Sequence, residues 1–316
     1  PLGEPVKSVR RIAPKSKAAQ IGYEIAEIVA PAVKLLSDLA EFEERGGVWQ
    51  KTQVNRAQKY EKKLAAIMAE YFNDQQARVI DKLEQDFKGK GIKAKLNLLD
   101  EDFEEDELVK KVKTFFETLV AEEGNQALDL AGIDAAFDAR SERVQQALTR
   151  KLEAFAGDVT GVTSEKVRTA IGDGLKEGEG LTELKKRVKE LTAFDKARTE
   201  VIARTEVVRA QNFASVEAWR ESDLVEGKIW YTAEDERVEE SCADLHANAF
   251  NGGEPIPLDD DFPGGDFDNT EEPPLHPNCR CTVLPAVKAK SVSPATPKKM
   301  MHEDVHRLIL ENLTKR

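Results

Sequence analysis

The sequence predicts an α+β protein that is predominantly helical, with an elongated N-terminal helical region followed by a small α+β domain that carries a candidate metal site. Three observations lead there. Apolar residues recur at steps of three and four over most of the first 160 positions, the helical period. After residue 195 the pattern shifts to small residues and then to a short alternating strand. All three cysteines of the 316-residue chain fall in that last region, as Cys242, Cys279 and Cys281.

Composition bounds the answer. A chain of 316 residues with 40% hydrophobic content is long enough for two domains and at least one packed core. An odd cysteine count opposes a disulfide framework. No run of eighteen apolar residues and no N-terminal apolar segment points to membrane insertion or secretion, so synthesis in a reducing cytosol is the default. The balance of 47 Lys+Arg against 59 Asp+Glu, a formal charge of -12, opposes a wide nucleic-acid-coating surface. The chain begins at Pro1, as expected of a processed product or a fragment.

Residues 1–14 read as a flexible basic arm, with Lys7, Arg10 and Arg11 between Pro5 and Pro14, able to touch DNA or an acidic partner. Residues 15–156 read as the elongated helical domain. Ala18, Ile21, Ile25, Ile28, Ala32, Leu35, Leu39 and Phe42 form a heptad-type seam. Pro31 is expected to kink or break it, and Gly46-Gly47 to end it. A second helix is expected from Lys51 to Phe87, spanning roughly 55 Å at ~1.5 Å per residue, and stopped by Gly89 and Gly91. The acidic run Asp100 to Glu107 suits a helix start, whose macrodipole favours negative charge. That helix would bury Leu108, Val112, Phe115 and Leu119, and further helices are read at 128–137 and 144–155.

A helical connector is expected at 157–194, punctuated by Gly157 and Gly161 and capped by Thr163 or Ser164. The Gly172, Gly174, Gly178, Gly180 series follows no strand and lacks the Lys-Ser/Thr ending of a phosphate cradle, so it reads as a flexible turn. The small domain, 195–287, opens on a helix with the stripe Ala203, Val207, Ala210, Ala214 and Ala218, suited to close packing. Lys228 to Thr232 reads as a strand, and 247–275 as an extended loop whose aspartates lack calcium-loop spacing. A linker follows at 288–300, then a tail helix at 301–316 with Val305, Leu308 and Ile309 on one face.

The candidate site rests on ligand chemistry. His276-Pro277-Asn278-Cys279-Arg280-Cys281 gathers two of the three cysteines and one of the four histidines within six residues. In an extended backbone Cys279 and Cys281 point to the same side, and Pro277-Asn278 favours a turn that returns His276 toward them. His246 stands four residues after Cys242, on the same helical face. Soft thiolate and imidazole ligands select zinc before other metals, so one structural zinc is expected, with five candidates for four places. Reduced cysteines in a small core, and a disulfide or catalytic thiol, remain open alternatives.

Taken in order, Ile202-Ala203-Arg204-Thr205-Glu206, Arg209-Ala210-Gln211-Asn212, Trp230-Tyr231-Thr232, Asp235-Glu236-Arg237-Val238, Cys242-x-x-Leu245 and Pro274-Leu275-His276-Pro277-Asn278-Cys279-Arg280-Cys281 resemble the phage head morphogenesis family, minor capsid proteins similar to protein F of phage Mu. The resemblance covers roughly residues 160–287. It implies a minor head protein of a tailed bacteriophage, made in the host cytoplasm and carried in the virion. It would sit inside the head near the portal vertex, acting in head assembly and in DNA packaging or ejection. The implied partners are the portal protein and the inner capsid surface, with packaged DNA reached through the basic tails; no membrane and no catalytic activity are implied. Many members carry a further cysteine three residues before the position of Cys242, where this chain has Glu239. A four-thiolate site is then out of reach, and His246 or His276 must supply nitrogen.

Two other functions compete. A DNA-binding packaging accessory would use the basic arm and Lys288, Lys290, Lys298 and Lys299. A nucleotide-transferring enzyme is suggested by the likeness of Arg204-Thr205-Glu206 to fragments of such sites. An ion pair of Arg204 with Glu200, four residues earlier, is a sufficient explanation of that arginine, and the chain has no His-Glu-x-x-His or Gly-x-Ser-x-Gly.

Overall fold

The apolar steps between residues 17 and 87 build one helix, not two: α1 runs unbroken from Lys17 to Lys90, 74 residues or ~110 Å. The computed structural model describes residues 17–90, 98–250 and 255–287, and for 17–42, 89–90 and 248–250 only the backbone path. The stop expected at Gly46-Gly47 is overturned, and of the kink or break expected at Pro31 the break does not occur. Proline removes a single helix donor, and that local loss does not end α1. Gly46 has a packing role, because a Cβ there would stand 2.3 Å from Cε2 of Tyr231. The ring lies against bare backbone, and its hydroxyl, which donates to the Glu234 carboxylate at 2.8 Å, is 3.3 Å from the Glu43 carbonyl.

After residue 97 come α2 (Glu101–Leu130), α3 (Glu142–Lys176), α4 (Leu181–Lys189) and α5 (Lys196–Ser222). Asp100 caps α2 through the Phe103 N–H, with Glu101, Asp102 and Glu104 in its first turn, as the macrodipole favours. Leu108, Val112 and Leu119 are buried as expected, but Phe116 is buried more deeply than Phe115. The helix expected at 128–137 does not form. At Leu130 α2 gives way to a turn in which Gly132 takes φ +68, and the Ile133 N–H returns to the Leu128 carbonyl. The segment beyond folds back so that Phe137 covers Gly124, where a Cβ would be 2.1 Å from Cδ1 of the ring.

Gly157 and Gly161 likewise do not punctuate; α3 passes through both. Thr163 and Ser164 are therefore mid-helix and cap nothing. The Thr163 hydroxyl donates to the Val159 carbonyl at 2.8 Å, and that of Ser164 to Glu101 at 2.5 Å. Of the later glycine series only Gly178 and Gly180 lie in a turn, between α3 and α4.

A two-stranded antiparallel sheet, β1 (Val225–Tyr231) with β2 (Thr282–Val287), pairs Trp230 with Val283 and Ile229 with Leu284. Between them lie α6 (Glu240–Phe250), packed on β1, and the extended segment from residue 255. The boundary expected at residue 195 coincides with the start of α5 but not with a break in packing. α5 lies on both α1 and α2, and one core runs from Leu64, Leu108 and Leu119 through Ala214 and Trp219 to Trp230 and Val283. Each such fully buried large side chain contributes about 1.5–3 kcal/mol. A second cluster, including Val79, Leu83, Ile171 and Val188, closes the far end of α1 against α3 and α4. The basic arm, linker and tail helix, and the side chains of the seam up to residue 42, lie outside the described residues.

Candidate metal centre

Two elements bring the cysteines together. α6 carries Cys242 on its buried face beside Leu245, and the turn before β2 carries Cys279 and Cys281. All three are free and buried. The sulfurs of Cys242 and Cys279 are 3.9 Å apart, and the three sulfurs lie within 4.8 Å of one another. Hydrogen bonds from Cys242, Cys281 and His276 push the Cys279 thiol well below its usual range. The Cys242 thiol is pushed up to about 12, chiefly through its hydrogen bond to Cys279, and that of Cys281 is raised through Cys242 and Cys279.

The histidines part company. His276 stands beside Cys279, whose sulfur raises the imidazole pKa through a hydrogen bond, and its Nδ1 is 3.0 Å from the Pro277 carbonyl. His246 shares a face of α6 with Cys242, as its spacing requires, yet four residues of rise separate them by ~6 Å along the axis. Its Nδ1 accepts the Thr232 N–H at 3.1 Å, its ring meets Tyr231 edge-on, and Nε2 is 3.8 Å from Glu234. With Glu43 and Glu234 it forms a separate group. Burial lowers the His246 pKa.

The turn is held by a polar face of α5. Thr205 Oγ1 accepts the Asn278 N–H at 3.1 Å, and Arg204 donates to Asn278 Oδ1 at 3.0 Å. Asn278 takes φ +61, a left-handed conformation that asparagine tolerates. Two turns along α5, buried Asn212 accepts from the Val283 N–H and the Thr282 hydroxyl and donates to the Cys281 carbonyl. Arg280 makes two 2.6 Å bonds to Asp235, which hold that carboxyl well below the usual range. The expected Arg204–Glu200 pair is replaced: Glu200 pairs with Lys196, and Arg204 turns to Asn278 and, at 3.8 Å, to Glu61. Between α1 and this turn lies a cleft of about 660 Å³ that includes Gln53, Glu61, Arg204 and Arg280.

The motifs are therefore contacts of one another. Residues 165–284 match the family of Phage Mu protein F like proteins. The match agrees with the resemblance to the phage head morphogenesis family, and the Mu F-like region holds all three cysteines, both histidines and the α5 clamp. α1 and α2 precede it, although they share its core. An uncharacterized protein of Haemophilus influenzae is 29% identical over 147 residues, 44% of this chain and 30% of that protein. The chain thus spans under a third of that relative's length. Uncharacterized protein YqbB of Bacillus subtilis is 23% identical over 227 residues, 69% of this chain and 72% of its own. No solved structure matches. Among the described residues no helix is long and apolar enough to cross a membrane.

The clamp residues Asn212 and Asp235 escaped the sequence reading as working groups. An amide in the middle of a helix on a small-residue face was the available signal for Asn212, since such side chains favour caps and turns unless given a specific partner. Asp235 lay within a motif of the resemblance, but nothing local pointed to its partner, which lies 45 positions away.

Proposed function

We propose that the protein is a minor head protein of a tailed bacteriophage, acting in head assembly near the portal vertex and carried in the virion. The observation that supports this reading most strongly is that polar residues within the Mu F-like region build a clamp. Arg204, Thr205 and Asn212 fix the turn at 278–283, and Arg280 is taken up by Asp235. Within this clamp the polar side chains are directed at the chain itself. Such a module is suited to presenting a rigid surface, and the heptad-type seam of α1 is suited to helix-on-helix attachment. We assign portal or inner-capsid contact to the N-terminal part of α1, through Ile21, Ile25, Ile28, Leu35 and Leu39.

The test is recovery of the tagged full chain with portal rings or procapsids of its own phage. Co-purification is expected, and loss of it on changing Ile25 and Leu35 to Asp, with helical circular dichroism retained. A chain that binds neither assembly, or that is retained on DNA with steep salt dependence instead, would overturn the reading in favour of a DNA-binding accessory.

A further inference from the structure

The spacing of the three thiols is too long for a disulfide and admits a metal ion. A disulfide requires sulfurs ~2.05 Å apart, whereas Cys242 and Cys279 stand at 3.9 Å. A tetrahedral zinc with Zn–S bonds of ~2.3 Å separates its sulfurs by about 3.8 Å. The spacing here is that of two corners of such a tetrahedron, and the third sulfur lies within 4.8 Å of both. A cavity of about 10 Å³, close to one water-sized sphere, is bounded by Cys242, Cys279, Cys281, His276 and Glu239. Arg237 and Arg280 also border it.

For the fourth corner the two histidines are the candidates: neither brings a ring nitrogen within 4.8 Å of all three sulfurs, and His276 is the one that stands beside Cys279. His246 Nδ1 accepts the Thr232 N–H, and its Nε2 faces Glu234. His276 Nδ1 lies at the Pro277 carbonyl. If Nδ1–H donates there, Nε2 carries the free lone pair, the arrangement in which metal-bound histidines are oriented by a carbonyl. Glu239 borders the same cavity, but its exposed carboxylate would bring the ligand charge to -4 where the three thiolates already exceed the charge of one Zn²⁺. We propose that Cys242, Cys279, Cys281 and His276 hold one zinc ion in a closed tetrahedral site. The ion ties α6 directly to the start of β2, across a joining segment whose β-pairing among the described residues is limited to isolated bridges. With three thiolates and a neutral imidazole the site carries a net charge of -1, and the Arg280 guanidinium lies close enough to feel Cys281 and Cys279.

The full chain, prepared reduced and without chelator, is expected to contain about one zinc per chain by elemental analysis. Replacement by Co²⁺ should give the visible absorption of a tetrahedral ion, with thiolate charge transfer in the near ultraviolet. His276→Ala should weaken cobalt affinity by more than about 100-fold, since even loss of an outer-shell partner costs 10–100-fold, and should change the spectrum. Glu239→Gln and His246→Ala should leave stoichiometry and spectrum as they are. Wild-type protein without stoichiometric metal and without a tetrahedral cobalt spectrum would overturn the site, a result that needs no variant to fold. A spectrum altered by Glu239→Gln or His246→Ala, and not by His276→Ala, would overturn the ligand set.

Discussion

The helical body and the Mu F-like turn region are held together by different physics, although they share one core. In the body, Leu64, Met68, Leu108, Val112 and Leu119 are fully buried and repeat at helical spacing, so stability is spread over many interchangeable contacts. Around residues 228–283 it rests on single atoms. The Lys228 ammonium, fully buried, donates to the Leu258 carbonyl at 2.8 Å, Arg220 donates to the same carbonyl, Asn212 serves Val283 and Cys281, and three sulfurs meet. A distributed core degrades in steps, while a region tied by a few atoms fails at each of them.

The comparison can be broken at its largest effect first. Leu64→Ala removes a fully buried side chain and is expected to cost about 2–5 kcal/mol. Because the core is continuous, thermal unfolding should stay a single transition that moves to lower temperature; two separated transitions would show that body and turn region fold independently. Asn212→Ala comes next. It leaves the buried Val283 N–H and Cys281 carbonyl without that partner, at about 1–3 kcal/mol for each group. Hydrogen exchange should accelerate in β2 and the 276–281 turn and remain slow in α2 and α3. Uniform acceleration would mean that Asn212 supports the whole core and not the clamp alone.

The smallest effect is a pH dependence. Burial lowers the folded-state pKa of His246, so the unfolded chain binds a proton at this group more readily than the folded one. Stability from His246 is therefore present above its unfolded pKa of ~6.5 and is lost as pH falls below that value toward the lowered folded one. The structural counterpart is the Thr232 N–H, which needs an unprotonated Nδ1. Thermal unfolding at pH 7.5 and 5.5 should show a larger loss for the wild type than for His246→Gln. Equal losses would mean that His246 titrates as it does in the unfolded chain.

Much of this was determined by sequence alone. Helical spacing marked Leu108, Val112, Leu119 and the small-residue face of α5, because periodicity is a local property that survives in any tertiary context. Cysteine placement pointed to one cluster for the same reason: few residue types share that chemistry. What only the tertiary structure decided were the residues whose role depends on a distant partner. Gly46 looks like a helix stop until Tyr231 arrives to use the space a side chain would fill, as Phe137 does at Gly124. Arg204 had a suitable acid one turn away, yet Asn278, 74 positions on, takes its guanidinium. His246 shares a helical face with Cys242, and a backbone N–H from Thr232 draws its ring elsewhere while the turn keeps His276 beside Cys279. Local pattern fixes which face a side chain leaves the backbone from; only packing fixes what it meets.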